Sequence, residues 1–195
     1  MRSGRRAPAP VCAHTRRPYE ERAARYNVAA DRLAAGGLCD LHVVADVGAG
    51  GTELDYLLRT ERGWRGRYVP VDRWTGPVDL DLDCWVPPRR WDWFACLEVL
   101  EHLASPMRLL ELMCNAAASG VVVTTPNPEV VDVLALDPTH RTPVARQQLA
   151  SAGLYTSVHN LYGTNDDGIC GVWYRAGLDV LERGITVPAY SQGNP

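Results

Sequence analysis

The sequence predicts an α/β protein, with a mostly parallel, twisted sheet and helices on both faces. Apolar segments rich in β-branched residues alternate with segments that have helical periodicity. The first of these apolar segments leads into a glycine-rich turn. Strands that alternate with helices are joined by right-handed crossovers, which make neighbouring strands parallel. The chain has 195 residues, a length that suits one domain better than two.

The N-terminal part is expected to contain a flexible basic tail and one helix. Residues 1–17 lack the apolar segment that a secretory signal requires. Residues 18–37 place apolar side chains on one helical face and end in glycines. A single domain is therefore expected over residues 18–190, with its core at 41–160.

A strand, a glycine turn and a helix follow in that order. The segment "LHVVAD" ends at Asp46 and is followed by "GAGG". In "TELDYLLRTERG", Leu54, Leu57 and Leu58 have helical spacing, and Gly63 provides a C-terminal stop.

Further strands are predicted in "RYVPVD", "WDWFACLEV" and "GVVVTTP". Pro70 is unfavourable inside a central strand because it cannot donate to the ladder. Between the last two strands, "SPMRLLELMCNAAASG" is predicted to be helical, with Ser105 as N-cap and Pro106 in the first turn. Two segments after residue 150 are candidates for closing strands in an antiparallel arrangement.

Composition restricts the class of protein. The formal net charge of −3 argues against broad nucleic-acid binding, and no apolar segment approaches the length of a membrane span. The six cysteines form no CxxC pair, so we expect reduced thiols, no cysteine metal site and a cytoplasmic protein. The oligomeric state is not indicated.

Ligands of parallel α/β sheets bind beyond the carboxyl ends of the strands. The glycine turn lies at such an end, and Asp72 follows the second strand, 24 residues after Gly48, where an acid can accept both ribose hydroxyls. Glu53 occupies the position of the third glycine of the dinucleotide fingerprint. An acid there disfavours a nicotinamide enzyme, which is the alternative reading of this fold.

Five segments in this order resemble the motifs of class I S-adenosylmethionine-dependent methyltransferases, which have a Rossmann-like fold. The segments are "VVADVGAGGTE", "YVPVD", "DLDLDCW", "WDWFACLEVLEHL" and "SGVVVTTPN". The resemblance implies that Asp46 and the Gly48–Gly50 backbone lie near the methionine part, that Asp72 holds the ribose, and that Asp81 or Asp83 faces the adenine. The residues expected at the cofactor are Asp46, Gly48, Ala49, Gly50, Asp72, Arg73, Asp81, Asp83, Leu97 and Glu98.

The segment "CLEVLEHL" concentrates ionisable groups in an apolar stretch. Glu98, Glu101 and His102 have the spacing i, i+3 and i+4, which a helical turn brings onto one face. Two neighbouring carboxylates repel each other unless a positive charge joins them, and oxygen ligands with an imidazole suit Mg²⁺ or Mn²⁺. The alternative reading is that this segment only lines the cofactor pocket and starts the next helix.

His140, in "LDPTHRTP", is a fourth candidate ligand. The ExxEH element followed by a histidine resembles small-RNA 3′-terminal 2′-O-methyltransferases, and ubiquinone-pathway O-methyltransferases share a similar ExxEH element. Both resemblances imply a metal that holds neighbouring hydroxyls of the substrate. A histidine not occupied by metal, His102 or His140, would serve as general base. A solvated loop histidine is the alternative at His140.

The leading hypothesis is an S-adenosylmethionine-dependent O-methyltransferase that acts on a small molecule and uses a divalent metal. The alternatives are methylation of an RNA 3′ end, a metal-independent methyltransferase and a non-catalytic cofactor-binding or scaffold protein. A compact chain favours the small molecule over RNA. Arginines near the N-terminus could cover an anionic substrate or simply form a solvated helix face. These are Arg16, Arg17, Arg22 and Arg25.

Overall fold

The computed structural model describes residues 19–73, 80–163 and 165–175, with side chains from residue 23 onward. It contains a six-stranded sheet in the order β2-β1-β3-β4-β6-β5. The strands are β1 (Val43–Val47), β2 (Arg67–Val71), β3 (Trp91–Leu97), β4 (Ala117–Pro126), β5 (Tyr155–His159) and β6 (Gly168–Tyr174). β6 runs antiparallel to β4 and β5, whereas the other pairs are parallel. The predicted α/β class and the antiparallel closing strands are confirmed.

Helices cover both faces of this sheet. They are α1 (Tyr19–Ala35), α2 (Glu53–Thr60), a 3₁₀ helix (Leu100–His102), α3 (Pro106–Ala116), α4 (Val133–Leu136) and α5 (Arg146–Ser151). Among the described residues, no helix combines the length and the apolar character needed to cross a membrane.

Side-chain alternation along β3 divides the core in two. Trp93 and Ala95 pack on one face with apolar residues of α1 and α2. Phe94 and Cys96 point to the other face and pack with α3 and α5. Both layers are buried, which explains why the central strands are apolar along nearly their whole length.

The boundary between α3 and β4 differs from the prediction. The helix ends at Ala116, and β4 begins at Ala117, three residues before the predicted strand. Gly120 therefore lies inside the strand, where a Cβ would meet the Trp93 ring at 2.5 Å. The glycine makes room for this tryptophan instead of ending a helix.

Pro70 is tolerated because β2 is the outermost of the described strands. The predicted third motif lies partly outside the described residues, and from Leu80 to Arg90 the chain forms turns and irregular structure. The expected tail at 1–17, with Arg16 and Arg17, the side chain of Arg22, and residues 176–190 also lie outside the described part.

Candidate cofactor and metal site

The glycine turn lies at the carboxyl end of β1 and packs against the residue that follows Glu98. The Gly48 amide donates to the Val71 carbonyl oxygen at 2.8 Å, and Gly48 has a φ of 78°. A Cβ on Gly48 would meet Val99 Cγ2 at 2.3 Å. Both the backbone dihedral and the close contact require glycine here.

Asp72 is held against the same turn. Its Oδ2 accepts a hydrogen bond from the Gly50 amide at 3.1 Å, and Ala49 between the two glycines is buried. Arg73 follows Asp72 directly. A hydrogen bond thus joins the turn to the end of β2.

Asp46 is buried, with 3% of its surface exposed. Burial raises the pKa of its carboxyl to about 7, against the opposing effect of the hydrogen bond from the Tyr68 hydroxyl. Sequence reasoning missed Tyr68. The register of β1 and β2 would have indicated it. Tyr68 pairs with Val44, which lies two residues before Asp46, so Tyr68 and Asp46 share a face of the sheet.

The two adenine candidates have different surroundings. Asp83 accepts hydrogen bonds from the amides of Ala104 at 3.2 Å and Ser105 at 3.0 Å, and its Oδ2 lies 3.5 Å from an Arg141 guanidinium nitrogen. Its carboxylate therefore binds the two residues that directly precede α3. Ser105 occupies the N-cap position, as predicted, although its side chain makes no capping hydrogen bond. Asp81 Oδ1 accepts from the Asp83 amide at 3.0 Å.

Glu101, His102 and His140 come together beyond β3. Each offers one ligand atom, and these atoms lie within 4.8 Å of one another. Glu101 and His102 lie on the 3₁₀ helix, and His140 comes from the loop after α4. The Arg141 and Thr142 amides donate to the Glu101 carbonyl oxygen at 2.8 and 3.1 Å, which holds the loop against the helix.

Glu98 does not share a helical face with Glu101 and His102, contrary to the prediction. It lies before the 3₁₀ helix with a φ of 57°, and it is not part of the three-residue cluster. Its Oε1 is buried without a hydrogen-bond partner among the described residues. Leu97 ends β3 directly before it, 8% exposed.

Hydrogen bonds determine which nitrogen of each imidazole is available. His140 Nδ1 lies 2.5 Å from the Val133 carbonyl oxygen, which can only accept, so Nδ1 carries the proton. The Thr139 hydroxyl donates to Asp137 Oδ1 at 2.6 Å, and its oxygen therefore accepts from His102 Nδ1 at 2.9 Å. Both rings keep an Nε2 lone pair for a metal or a proton. Sequence reasoning missed Thr139 and Asp137, although they lie in the same loop as His140.

Burial is the largest cause of the pKa shifts at Glu98, Glu101 and His102. Burial raises the pKa of Glu98 above its usual range, and the positive charge of Arg25 opposes this effect. Burial and the charge of Glu98 raise the pKa of Glu101 well above its usual range. Burial, followed by the charge of His140, lowers the pKa of His102. A cation here would relieve the repulsion between the two carboxylates.

Solved structures with a similar fold are methyltransferases. One is a Haloferax volcanii protein described as a methyltransferase, solved in complex with the Trm112 methyltransferase activator. It is 14% identical to this chain, with a TM-score of 0.55, and the match covers 79% of this chain and 90% of that chain. The chain has the class I methyltransferase fold. An Aquifex aeolicus SAM-dependent methyltransferase has 15% identity, a TM-score of 0.54 and coverage of 81% and 93%. A Mesorhizobium loti S-adenosylmethionine-dependent methyltransferase has 15% identity, a TM-score of 0.51 and coverage of 77% and 100%.

No protein-family model and no curated protein matches the chain significantly. The methyltransferase fold nevertheless explains the positions of the glycine turn and Asp72. Both lie at the carboxyl ends of neighbouring parallel strands, where ligands of such sheets bind.

Proposed function

We propose that this chain is an S-adenosylmethionine-dependent methyltransferase that methylates a hydroxyl of a small molecule with the help of a divalent cation. The observation that carries the proposal is the cluster of Glu101, His102 and His140, three ligand atoms within 4.8 Å at the end of the sheet that also carries the glycine turn.

The cofactor half of the proposal rests on the turn and on Asp72. Glycines at 48 and 50 leave room for the methionine part, and the Asp72 carboxylate binds the ribose hydroxyls. Asp46 and Ala49 shape the turn, Arg73 borders it, and Leu97 lines the pocket floor. We assign the adenine amino group to Asp81, because the carboxylate of Asp83 already accepts hydrogen bonds from the Ala104 and Ser105 amides before α3.

The donor set fits a magnesium or manganese ion. Carboxylate oxygens and imidazole nitrogens are suitable ligands for such ions, and both histidines are held in the tautomer that leaves Nε2 free. Glu98 completes the set through its buried Oε1, which has no partner in the described part of the chain.

When bound, S-adenosylmethionine supplies an electrophilic methyl group, and a divalent cation lowers the pKa of the acceptor hydroxyl. The chain's own residues align the acceptor oxygen with the methyl group and exclude water from the site. Methyl transfer to the aligned oxygen would leave the electron pair of the broken carbon–sulfur bond on the sulfur of S-adenosylhomocysteine. The Nε2 of a histidine not occupied by metal, His102 or His140, takes the hydroxyl proton.

A titration of Mn²⁺, followed by electron paramagnetic resonance with S-adenosylhomocysteine at saturation, tests the metal site. We expect saturable binding that is lost in Glu101→Gln and His140→Ala. His42→Ala is the matched control. His42 directly precedes β1 and so lies at the amino ends of the parallel strands, whereas the cluster lies beyond their carboxyl ends. Absence of saturable binding in the wild type would remove the metal from the proposal.

Calorimetric titration of S-adenosylhomocysteine tests the cofactor site separately. We expect binding by the wild type and at least about tenfold weaker binding by Asp72→Ala, which loses hydrogen bonds to both ribose hydroxyls. NAD is the control ligand and should not bind. A chain that binds NAD in preference would contradict the methyltransferase assignment.

A further inference from the structure

Arg25 carries a buried positive charge that has no anionic partner among the residues that the structure describes. It lies on α1 with 9% of its surface exposed, and its Nε donates to no acceptor among the described residues. Within the same residues, no carboxylate lies within ion-pair distance of its guanidinium. Burying an unpaired charge costs several kcal/mol, so a position that keeps such a charge is a candidate for binding an anion.

Tyr162 forms the other side of this position. The Arg25 guanidinium lies over its ring, 5.4 Å from the centroid. The Tyr162 hydroxyl is buried and has no hydrogen-bond partner in the described part of the chain. The cation–π contact compensates part of the cost of burying the charge and leaves the polar atoms of both residues available.

The loop that carries Tyr162 is firmly anchored. The buried Asp167 carboxylate accepts hydrogen bonds from the amides of Leu161 at 2.6 Å and Tyr162 at 3.1 Å. At the end of β4, the Asn127 side-chain amide donates to the Asp166 carbonyl oxygen at 2.8 Å. Tyr162 is thus placed by a network of hydrogen bonds around the buried Asp167 carboxylate, which is typical of a prearranged binding position.

Arg25 and Tyr162 lie beside the candidate metal site. The Arg25 charge stabilises the ionised forms of Glu98 and Glu101, although neither carboxylate comes within ion-pair distance. The guanidinium is therefore near enough to influence the carboxylates but does not form an ion pair with them. An anion bound by Arg25 would lie beside the ligand cluster.

We infer that Arg25 and Tyr162 bind an anionic group of the acceptor, a carboxylate or a phosphate, and so hold the acceptor hydroxyl at the cluster of Glu101, His102 and His140. This inference rests on the proposed function and names its substrate class, a small hydroxylated acid. A guanidinium donates paired hydrogen bonds to the oxygens of such groups, and the tyrosine hydroxyl adds a third. A neutral diol or catechol would leave Arg25 unpaired, so the site discriminates against it.

Calorimetric titration with benzoate, phenyl phosphate and phenol tests the inference. These probes share one ring and differ in the charged group, so they separate a carboxylate site from a phosphate site and from ring binding alone. Each titration is performed with and without saturating S-adenosylhomocysteine. The proteins are the wild type, Arg25→Gln, Arg25→Lys and Tyr162→Phe. Arg32→Gln is the matched control, because Arg32 lies on the same helix and already donates to Ser157 Oγ at 3.2 Å.

We expect an anionic probe to bind the wild type more tightly than phenol does. Arg25→Gln should weaken that binding by at least about tenfold, Tyr162→Phe should weaken it severalfold, and Arg25→Lys should retain part of it. Arg32→Gln should bind like the wild type. Equal affinity of the wild type for phenol and the anions, or unchanged anion binding in a folded Arg25→Gln, would overturn the inference. If Arg25→Gln does not fold, unchanged anion binding in both Arg25→Lys and Tyr162→Phe would overturn the inference instead.

Failure of the proposed function gives a different result. Anion binding that depends on Arg25 in a protein that binds no S-adenosylhomocysteine would keep the anion site and remove the methyl transfer. Normal binding of S-adenosylhomocysteine and Mn²⁺, with anion binding that does not depend on Arg25, would remove the anion site and keep the methyl transfer. Arg25→Gln should also bind Mn²⁺ no more weakly than the wild type, because it removes a positive charge near the metal site.

Discussion

The imidazole rings of His102 and His140 meet edge to face, with their centroids 4.6 Å apart. One ring belongs to the 3₁₀ helix after β3 and the other to the loop after α4. Each Nδ1 is tied to a different partner, a hydroxyl for His102 and a backbone carbonyl for His140. Two histidines placed in this way present matching tautomers to one small volume, which is what a metal or an acidic hydroxyl requires.

Thr139 is expected to position His102. In Thr139→Ala, His102 Nδ1 loses its acceptor and the ring becomes free to rotate or change tautomer. We expect Mn²⁺ affinity, measured by electron paramagnetic resonance, to fall by about 10- to 100-fold, as is usual for partners of metal ligands. Thr139→Ser keeps the hydroxyl and should restore most of the affinity. Equal loss in the alanine and serine variants would show that Thr139 acts through packing instead.

Gly48→Ala should damage both the fold and the cofactor site. The new Cβ would lie 2.3 Å from Val99 Cγ2 at a residue with a φ of 78°. We expect the free energy of unfolding, from chemical denaturation, to fall by about 2 to 4 kcal/mol, and S-adenosylhomocysteine binding to be lost. Gly63→Ala is the control, because Gly63 has a φ of 68° but no atom within 4 Å of its Cβ position. It should lose only about 1 kcal/mol.

Asp46 should make the stability depend on pH. Its folded-state pKa of about 7 is above its ordinary value of 3.8, so the folded protein holds the proton more tightly than the unfolded chain does. The stabilisation is complete below about pH 4 and is lost as the pH rises through 7. We expect the free energy of unfolding to fall by about 2 to 3 kcal/mol between pH 5 and pH 8 from this group.

Asp46→Asn removes that titration and retains the shape of the side chain. Denaturation curves at pH 5, 6, 7 and 8 should therefore show a smaller decrease for the variant than for the wild type. Contributions that the two proteins share cancel in the comparison. Parallel curves for the two proteins would contradict the assignment of a raised pKa to Asp46.

Asp167→Asn should loosen the loop that carries Tyr162. The amide can replace only one of the two carboxylate oxygens, and its NH₂ group faces backbone donors. We expect a loss of about 1 to 3 kcal/mol in the free energy of unfolding and faster hydrogen exchange at the amides of Leu161 and Tyr162. Asp166→Asn is the control, since Asp166 is exposed. Unchanged exchange in Asp167→Asn would argue against the anchoring role.

The sheet and the cofactor turn could be predicted from the sequence because their signals are local. Alternation of strand and helix patterns gave the parallel sheet, and the glycines after β1 marked a turn that no other residue could form. The exact start of β4 could not be predicted, since it depends on the Trp93 ring that packs over Gly120. Glu98 was misplaced for a similar reason, because residue spacing shows the face of a helix only where a helix actually forms.

The sequence by itself determined the fold class, the order of the strands along the chain and the identity of the ligand-type residues. Only the tertiary structure decided that His140 approaches His102, that Asp83 binds the Ser105 amide and that Arg25 is buried over Tyr162. These relationships join segments that are distant in the chain, and packing of the whole core fixes their distances. Local propensity contains no information about such distances, because each segment would keep the same preference in another fold.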